Sequence, residues 1–462
     1  MKIGLLAMSG IRAHDPELLE LGLTLPGFVE RSRQVAALPS LGLLWLAAVT
    51  PGEHELVYVE APSGDDDPPE LEGCDLVAIS TFSAQAQEAY QVADRLRSRG
   101  VRVAIGGLHA TARPREVAEH ADWVCVGEGE HVWPAIVAAC ERGGTGGVLH
   151  AADLAPVDVA RLPVPRYDLL GERPYNRITV QTSRGCPWRC DFCASTVMLG
   201  ERYRKRPVED VVRDVRAVLD LYPGAFIELA DDNTFVDKAW SRALLRALRP
   251  LDVKWFTETD VTVADDPELL DLIAESGCRQ LLIGLESPRA EDLAGVELHN
   301  DFKARRAPDY ARAVRAIQSR GITVNGCFVL GLDHHGPGVF AEVERFALDL
   351  GLYEVQVTVM TAFPGTPLLE RLEGEGRVLE PDRWDLCTLF DVNYEPRGMS
   401  VDELRAGLRH LSARLYSAEG VRARRRRFFA GIERRPAAAS PTSTRKGRPD
   451  ARSERPRSRA AG

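Results

Sequence analysis

With 462 residues, 45% of them hydrophobic and 27% charged, the chain has globular proportions and length for two or three domains, which excludes a collagen-like or wholly disordered protein. Apolar runs such as Leu41–Val49 stop well short of the ~18 residues a membrane span needs, and nine cysteines are too sparse for a disulfide-built domain. The net charge is −10, but Val421 to Gly462 carries 14 basic and 3 acidic side chains, or +11, leaving −21 on a body unsuited to reading nucleic acid.

Met1–Met8 turns polar at Ser9 and reads as a first strand. A secretory signal would need a longer apolar core and a small-residue cleavage site, so a cytoplasmic protein is expected. Over residues 1–145, strand-like runs at Lys2–Met8, His54–Glu60, Leu76–Thr81, Val101–Gly106 and Trp123–Val126 alternate with helical stretches at Ser40–Val49, Ala84–Ser98 and His131–Glu141. Near-continuous apolar strands separated by helices predict a parallel, doubly wound, Rossmann-like α/β sheet. Such sheets bind ligands beyond the carboxyl ends of their strands. Those ends read Ser80–Ser83, Gly106–Thr111 and Gly127–Glu130, with glycines that admit close approach of a bulky ligand. The first unit is a binding domain.

Residues 146–175 read as a linker broken by Pro156, Pro163, Pro165 and Pro174. A second unit over residues 176–385 repeats strand then helix six times. Its strands are expected at Arg177–Thr182, Phe226–Ala230, Val253–Thr257, Gln280–Leu285, Thr323–Leu330 and Glu354–Thr361. Six repeats are too few for a closed eightfold barrel, so a partial (β/α)6 barrel is predicted. Residues 386–430 read as a helical segment whose Leu404, Leu408, Leu411 and Leu415 stripe covers the barrel mouth. Residues 431–462, rich in Pro, Ser, Arg and Ala, read as a disordered basic tail, a solvated extension rather than a membrane contact.

The strongest chemical signal is Gly185–Cys193, where Cys186, Cys190 and Cys193 form C-x3-C-x2-C just after the first barrel strand. Soft thiolates select zinc, copper(I) or iron–sulfur centres. Structural zinc wants a second cysteine pair, and Cys74, Cys125, Cys140, Cys278, Cys327 and Cys387 are scattered singly. Three cysteines on a [4Fe–4S] cluster leave one iron open.

This trio in this position, with Phe192 just before the last cysteine, resembles the radical S-adenosylmethionine (SAM) superfamily. The resemblance implies that Cys186, Cys190 and Cys193 hold a [4Fe–4S] cluster whose open iron is chelated by SAM. One electron, from a donor such as flavodoxin or ferredoxin, then yields a 5′-deoxyadenosyl radical that abstracts an unactivated hydrogen. It further implies SAM contacts from Phe192, from Asp231 and Asp232 at the second strand's end, from Glu286 in the Gly284–Ser287 element, and from Gly331 after the fifth strand. Asp231 and Asp232 read equally as an acidic turn or helix cap.

A doubly wound unit ahead of such a barrel resembles the cobalamin-binding branch, over about residues 1–377. Thr81, Ser83, Gly106, Gly107, His109, Gly127 and Glu128 are then the expected cobalamin contacts. Domains that ligate cobalt through histidine carry D-x-H-x-x-G after the first strand. Here that region reads Ser9–Asp15 without the pattern, and the literal match at Asp333–Gly338 lies in the wrong domain. Cobalamin is therefore expected to bind without a histidine lower ligand, and His14 reads as a surface loop residue. The function implied is methyl transfer to an unactivated carbon of a lipid or secondary metabolite, the alternative being cyclisation or rearrangement with the same cofactors. The catalytic residue and the substrate are not legible.

Overall fold

In the computed structural model of the chain, the described residues are 1–10, 12–21, 38–65, 67–173, 175–200 and 202–433. Strands β1 (Lys2–Met8), β2 (Glu55–Ala61), β3 (Leu76–Ser80), β4 (Arg102–Gly106), β5 (Trp123–Val126) and β6 (Gly147–His150) form one parallel sheet, ordered β2-β1-β3-β4-β5-β6. Alternation along β1 feeds both faces, as a doubly wound sheet requires. Ile3 and Leu5 pack under helices Leu41–Val49 and Gly129–Glu141, while Leu6 and Met8 pack under helices Ala86–Ser98 and Pro114–His120.

The stretch read as a linker is more ordered than expected. β6 falls inside it, mostly exposed and four residues long, so it carries no apolar periodicity to announce a strand. Beyond β6, Val157, Val159, Leu162, Tyr167 and Leu170 are all buried.

The second sheet runs β14-β13-β12-β11-β10-β7, every pair parallel. Its strands are β7 (Ile178–Val180), β10 (Phe226–Leu229), β11 (Lys254–Thr259), β12 (Cys278–Glu286), β13 (Thr323–Leu330) and β14 (Glu354–Val359). A short antiparallel ribbon, β8 (Ser183–Arg184) with β9 (Arg204–Lys205), follows β7. Six strand–helix units thus make the expected partial barrel. Local rules set its helices: Asp237 and Asp266 accept from Trp240 N and Leu269 N, each at 3.0 Å, to cap their first turns.

Helix Val401–Tyr416 opens on a Ser400/Glu403 capping box and buries Leu404, Leu408, Leu411 and Leu415. It packs along helix Val339–Leu350, β14 and helix Pro16–Leu21, and its Leu404 reaches Gly331 at the carboxyl end of β13. The basic run lies in helix Ala418–Glu433, where Arg424 is fully buried, donating to Leu352 O (3.0 Å) and Leu415 O (2.5 Å), and Arg425 pairs with Glu354 (2.8 Å). The expected tail from residue 434 onward lies outside the described residues. No helix among the described residues is long and apolar enough to cross a membrane.

Candidate active site at the mouth of the partial barrel

The cysteine loop is built from its neighbours inward. Gly185 has φ +81°, and a Cβ there would lie 2.6 Å from Arg202 O, so only glycine lets the chain turn into Cys186. Asp231, buried, accepts from Thr182 N (2.7 Å), Ser183 N (2.8 Å) and the Thr234 hydroxyl (2.9 Å). Burial lifts its carboxyl to about 6 despite these donors. Asp232 accepts from Gly185 N (3.2 Å) and the Ser195 hydroxyl (2.6 Å). Both aspartates expected at SAM bond the cysteine loop, Asp231 ahead of Cys186 and Asp232 on both sides of the trio. On the far side, Glu297 accepts from the backbone of Arg189 (3.2 Å), His299 (3.0 Å), Asn300 (3.0 Å) and Phe302 (3.2 Å). Trp188 donates to Asp260 (2.8 Å) and stacks on Phe302 with centroids 3.7 Å apart.

Cys190 is buried, Cys186 and Cys193 half-buried, and none is in a disulfide. Burial pushes the Cys186 thiol up to about 11 and raises Cys190 and Cys193 too, and Cys186 and Cys193 each add to the rise at Cys190. Among the described residues no three His, Cys, Asp or Glu side chains converge on a single metal ion. Three thiols on one short loop are the donor type that holds an iron–sulfur cluster.

Glu286 closes β12 with φ +59° and a bulge against β13. Its partner is Lys303, 2.8 Å away, which also donates to Gly284 O at 2.7 Å. A Cβ on Gly284 would lie 2.5 Å from the Glu286 carboxylate, so the glycine is what admits this pair beside Cys190. Lys303 escaped the sequence reading because it sits 17 residues beyond its partner, on a short helix with no motif. Gly331, expected at SAM, has another reason for its φ of +84°: Tyr394 donates to its carbonyl at 2.6 Å, and a Cβ would meet that hydroxyl. Phe192 is half-buried on the loop. A second cavity, about 570 Å³, opens beside it, lined by Asp191, Val296, Leu332, Met360 and Arg371.

Between the two sheets lies a cavity of about 450 Å³, bounded by carboxyl ends of both. Thr81, Gly106, Gly107, Gly127 and Glu128 line it, with Leu41, Trp45 and Phe82 from the first domain and Thr179, Arg184, Met198, Glu228 and Ala230 from the second. Ser83 and His109 do not. His109 is fully buried between the Ser83 hydroxyl (3.1 Å) and Glu116 (3.4 Å), turned into the domain and away from the cavity. Glu128 bonds Arg184 (2.6 Å) and Arg204 (2.8 Å), and Glu130 pairs with Arg184. A residue expected at cobalamin thus also fastens the first domain to the strand that enters the cysteine loop. His14 bridges Asp385 (3.3 Å) and Asp391 (3.2 Å). His335, in the misplaced D-x-H-x-x-G match, is buried in the barrel beside Asp292. The glycine-lined, mostly apolar chamber suits a flat macrocycle, and no histidine among the described residues lines it.

The radical SAM superfamily profile matches residues 180–347, the B12 binding domain profile residues 35–137, and a domain of unknown function (DUF4070) residues 366–453. An uncharacterized methyltransferase, sll1242, of Synechocystis sp. is 31% identical over 366 residues, 78% of this chain and 67% of that protein. The chain belongs to the cobalamin-binding branch of the radical SAM superfamily. As a member of that branch it is an iron–sulfur enzyme that uses a [4Fe–4S] cluster, SAM and cobalamin. The bacteriochlorophyllide d C-12(1)-methyltransferase of Chlorobaculum tepidum is 25% identical over 388 residues, 82% of this chain and 83% of its own. The radical SAM methyltransferase TsrM of Kitasatospora setae, solved with cobalamin and a [4Fe–4S] cluster, superimposes with a TM-score of 0.59 at 16% identity, covering 82% of this chain and 76% of TsrM. That likeness concerns the fold.

Proposed function

We propose that the enzyme transfers a methyl group to an unactivated carbon of a lipid or secondary metabolite. Cys186, Cys190 and Cys193 hold the cluster; the cavity beside Asp191 and Phe192 receives SAM; the interdomain cavity receives cobalamin through Thr81, Gly106, Gly107 and Gly127. Residues 1–145 are the cobalamin domain, residues 176–385 the radical domain. When bound, these groups supply an electron, a hydrogen-abstracting radical and a transferable methyl group. The chain's own residues do the rest. Asp231, Asp232 and Glu297 fix the loop so that three sulfurs meet one centre. Glu286 and Lys303 keep a compensated charge pair beside Cys190. Apolar walls from Leu41, Trp45 and Met198 exclude water, which a reactive intermediate demands. A one-electron donor protein such as flavodoxin or ferredoxin serves as the external partner.

One observation carries this reading: Arg184 lines the interdomain cavity and lies two residues before Cys186, so the cavity and the cysteine loop are contiguous. Anaerobic reconstitution tests it and is expected to give about four irons per chain, a corrinoid spectrum with hydroxocobalamin, and 5′-deoxyadenosine from SAM. Cys190→Ala should abolish that cleavage. Isotopic methyl label recovered in product separates methylation from ring closure, and a label-free product would overturn it.

A further inference from the structure

Three loops of the first domain line the interdomain cavity: Thr81–Phe82 after β3, Gly107–Leu108 after β4 and Gly127–Glu128 after β5. Gly107 at φ +103° and Gly127 at φ +86° have much conformational freedom to lose when a ligand is to find them in place. The sheet alone does not hold them, since the β4–β5 ladder ends at Ile105 and Val124, short of Gly127. Helix Leu108–Ala112 follows β4, and β4 lies between β3 and β5. Side chains two apart on a helix point different ways, and this helix hands one to each neighbouring loop. The Thr111 hydroxyl donates to Gly107 O (2.9 Å) and accepts from Gly127 N (3.0 Å), bridging the β4 and β5 loops. His109, fully buried, meets the Ser83 hydroxyl through Nδ1 (3.1 Å) and Glu116 through Nε2 (3.4 Å), fastening the β3 loop next to Phe82. Glu116 also accepts from the Tyr90 hydroxyl (3.0 Å) and the Trp384 indole (3.1 Å). Burial would raise its carboxyl, but His109, then Tyr90 and Trp384, hold it below the usual range, so it remains an acceptor for the ring. The β3 and β4 loops meet backbone to backbone, for a Cβ on Gly107 would lie 2.9 Å from Thr81 O.

We propose that His109 and Thr111 are positioning residues for cobalamin. Neither lines the cavity; they act through the three loops that do, bracing them before the cofactor arrives. The inference rests on the interdomain cavity being the one that receives cobalamin. Loops already ordered in the free protein bind without the entropy cost of ordering them on contact, so loosening the brace weakens affinity without removing any group that touches the ligand.

Hydroxocobalamin titrated into the full-length, cluster-reconstituted chain and followed by its corrinoid spectrum tests this, together with amide exchange over residues 126–130 in the absence of cobalamin. Thr111→Val removes the bridging hydroxyl; it should weaken binding about tenfold and speed exchange at Gly127. Ser83→Ala, which takes away the partner of His109, should weaken binding about threefold. Thr111→Ser keeps the hydroxyl and should return both readouts to within about twofold of wild type. Weakening in one of the two loop variants supports the brace for its own loop. A merely structural role would lower the thermal midpoint and leave cobalamin affinity intact. Affinities within about twofold of wild type in both Thr111→Val and Ser83→Ala, exchange at Gly127 unaltered by Thr111→Val, or a Thr111→Ser variant that stays about tenfold weak would overturn the proposal. The wild type separates the two readings. If it binds no hydroxocobalamin, the cavity assignment fails, whereas a wild type that binds alongside equally tight variants sinks the brace alone.

Discussion

Lys303 and Glu286 show how much can turn on one buried charge. The pair sits beside Cys190 with both side chains about nine-tenths enclosed, at 11% and 9% exposure. Removing one partner leaves the other charge uncompensated, so Lys303→Met should destabilise the protein by about 3–5 kcal/mol, measured by denaturant unfolding of the apo form. The double variant Lys303→Met with Glu286→Leu should recover most of that loss. A recovery that fails would mean Lys303 acts on something besides Glu286. Glu297 offers a pH test at the same loop. Burial would lift its carboxyl, but four backbone donors hold it below the usual range. A carboxyl depressed in the native state stabilises above its unfolded pKa and loses that contribution as pH falls through the folded one. The stability gap between wild-type apo protein and Glu297→Gln should therefore be full above about pH 5 and close in stronger acid. A gap that stays constant down to pH 3 would contradict the linkage. Individual roles were only partly legible. The cysteine trio announces itself by spacing, whereas Asp231 and Asp232 are equally plausible as ligand contacts or turn acceptors. Only the positions of Thr182, Ser183, Gly185 and Ser195 show that they serve the loop.

Among the elements, legibility followed burial. β1 and β13 run where periodicity puts them, because their apolar side chains are committed to the core. β6 and the short helices Leu108–Ala112 and Pro114–His120 carry too few buried side chains to leave a pattern. Helix Val401–Tyr416 illustrates the limit in another way. Its leucine stripe foretells a buried face without saying which surface receives it. Gly407 names that surface: a Cβ there would lie 2.1 Å from the ring of Phe340 on helix Val339–Leu350. Gly407→Ala removes no contact and improves helix propensity, yet it should cost about 1–3 kcal/mol by forcing the helices apart. Phe340→Leu in the same chain should return most of the stability, as thermal unfolding would report. A neutral Gly407→Ala would show that the ring swings aside freely.

At the scale of the whole molecule, two separately legible domains are joined by contacts that no motif reveals. Arg184 is 4% exposed and pairs with Glu128 and Glu130 of the first domain while its guanidinium lies 4.9 Å over Trp45. Trp384, past the last barrel strand, donates to Glu116 (3.1 Å), and Arg409 of the C-terminal helix bonds Asp15 (2.5 Å). The Arg184 links cross between the cavity walls, so a ligand that fills the cavity should stabilise both domains together. Hydroxocobalamin at 100 times its dissociation constant adds about 2.7 kcal/mol to whatever unit binds it, and in the wild type that unit should be the entire described fold, unfolding in one transition. Arg184→Met leaves Glu130, 7% exposed, without its cation. It should cost about 3–5 kcal/mol and split unfolding in two, with added hydroxocobalamin raising only the transition of the first domain. Calorimetric scans of the cobalamin-loaded and cobalamin-free variant check this directly. Should both forms still unfold as one unit, the coupling resides in the Trp384 and Arg409 contacts and not in the arginine that leads into the cysteine loop.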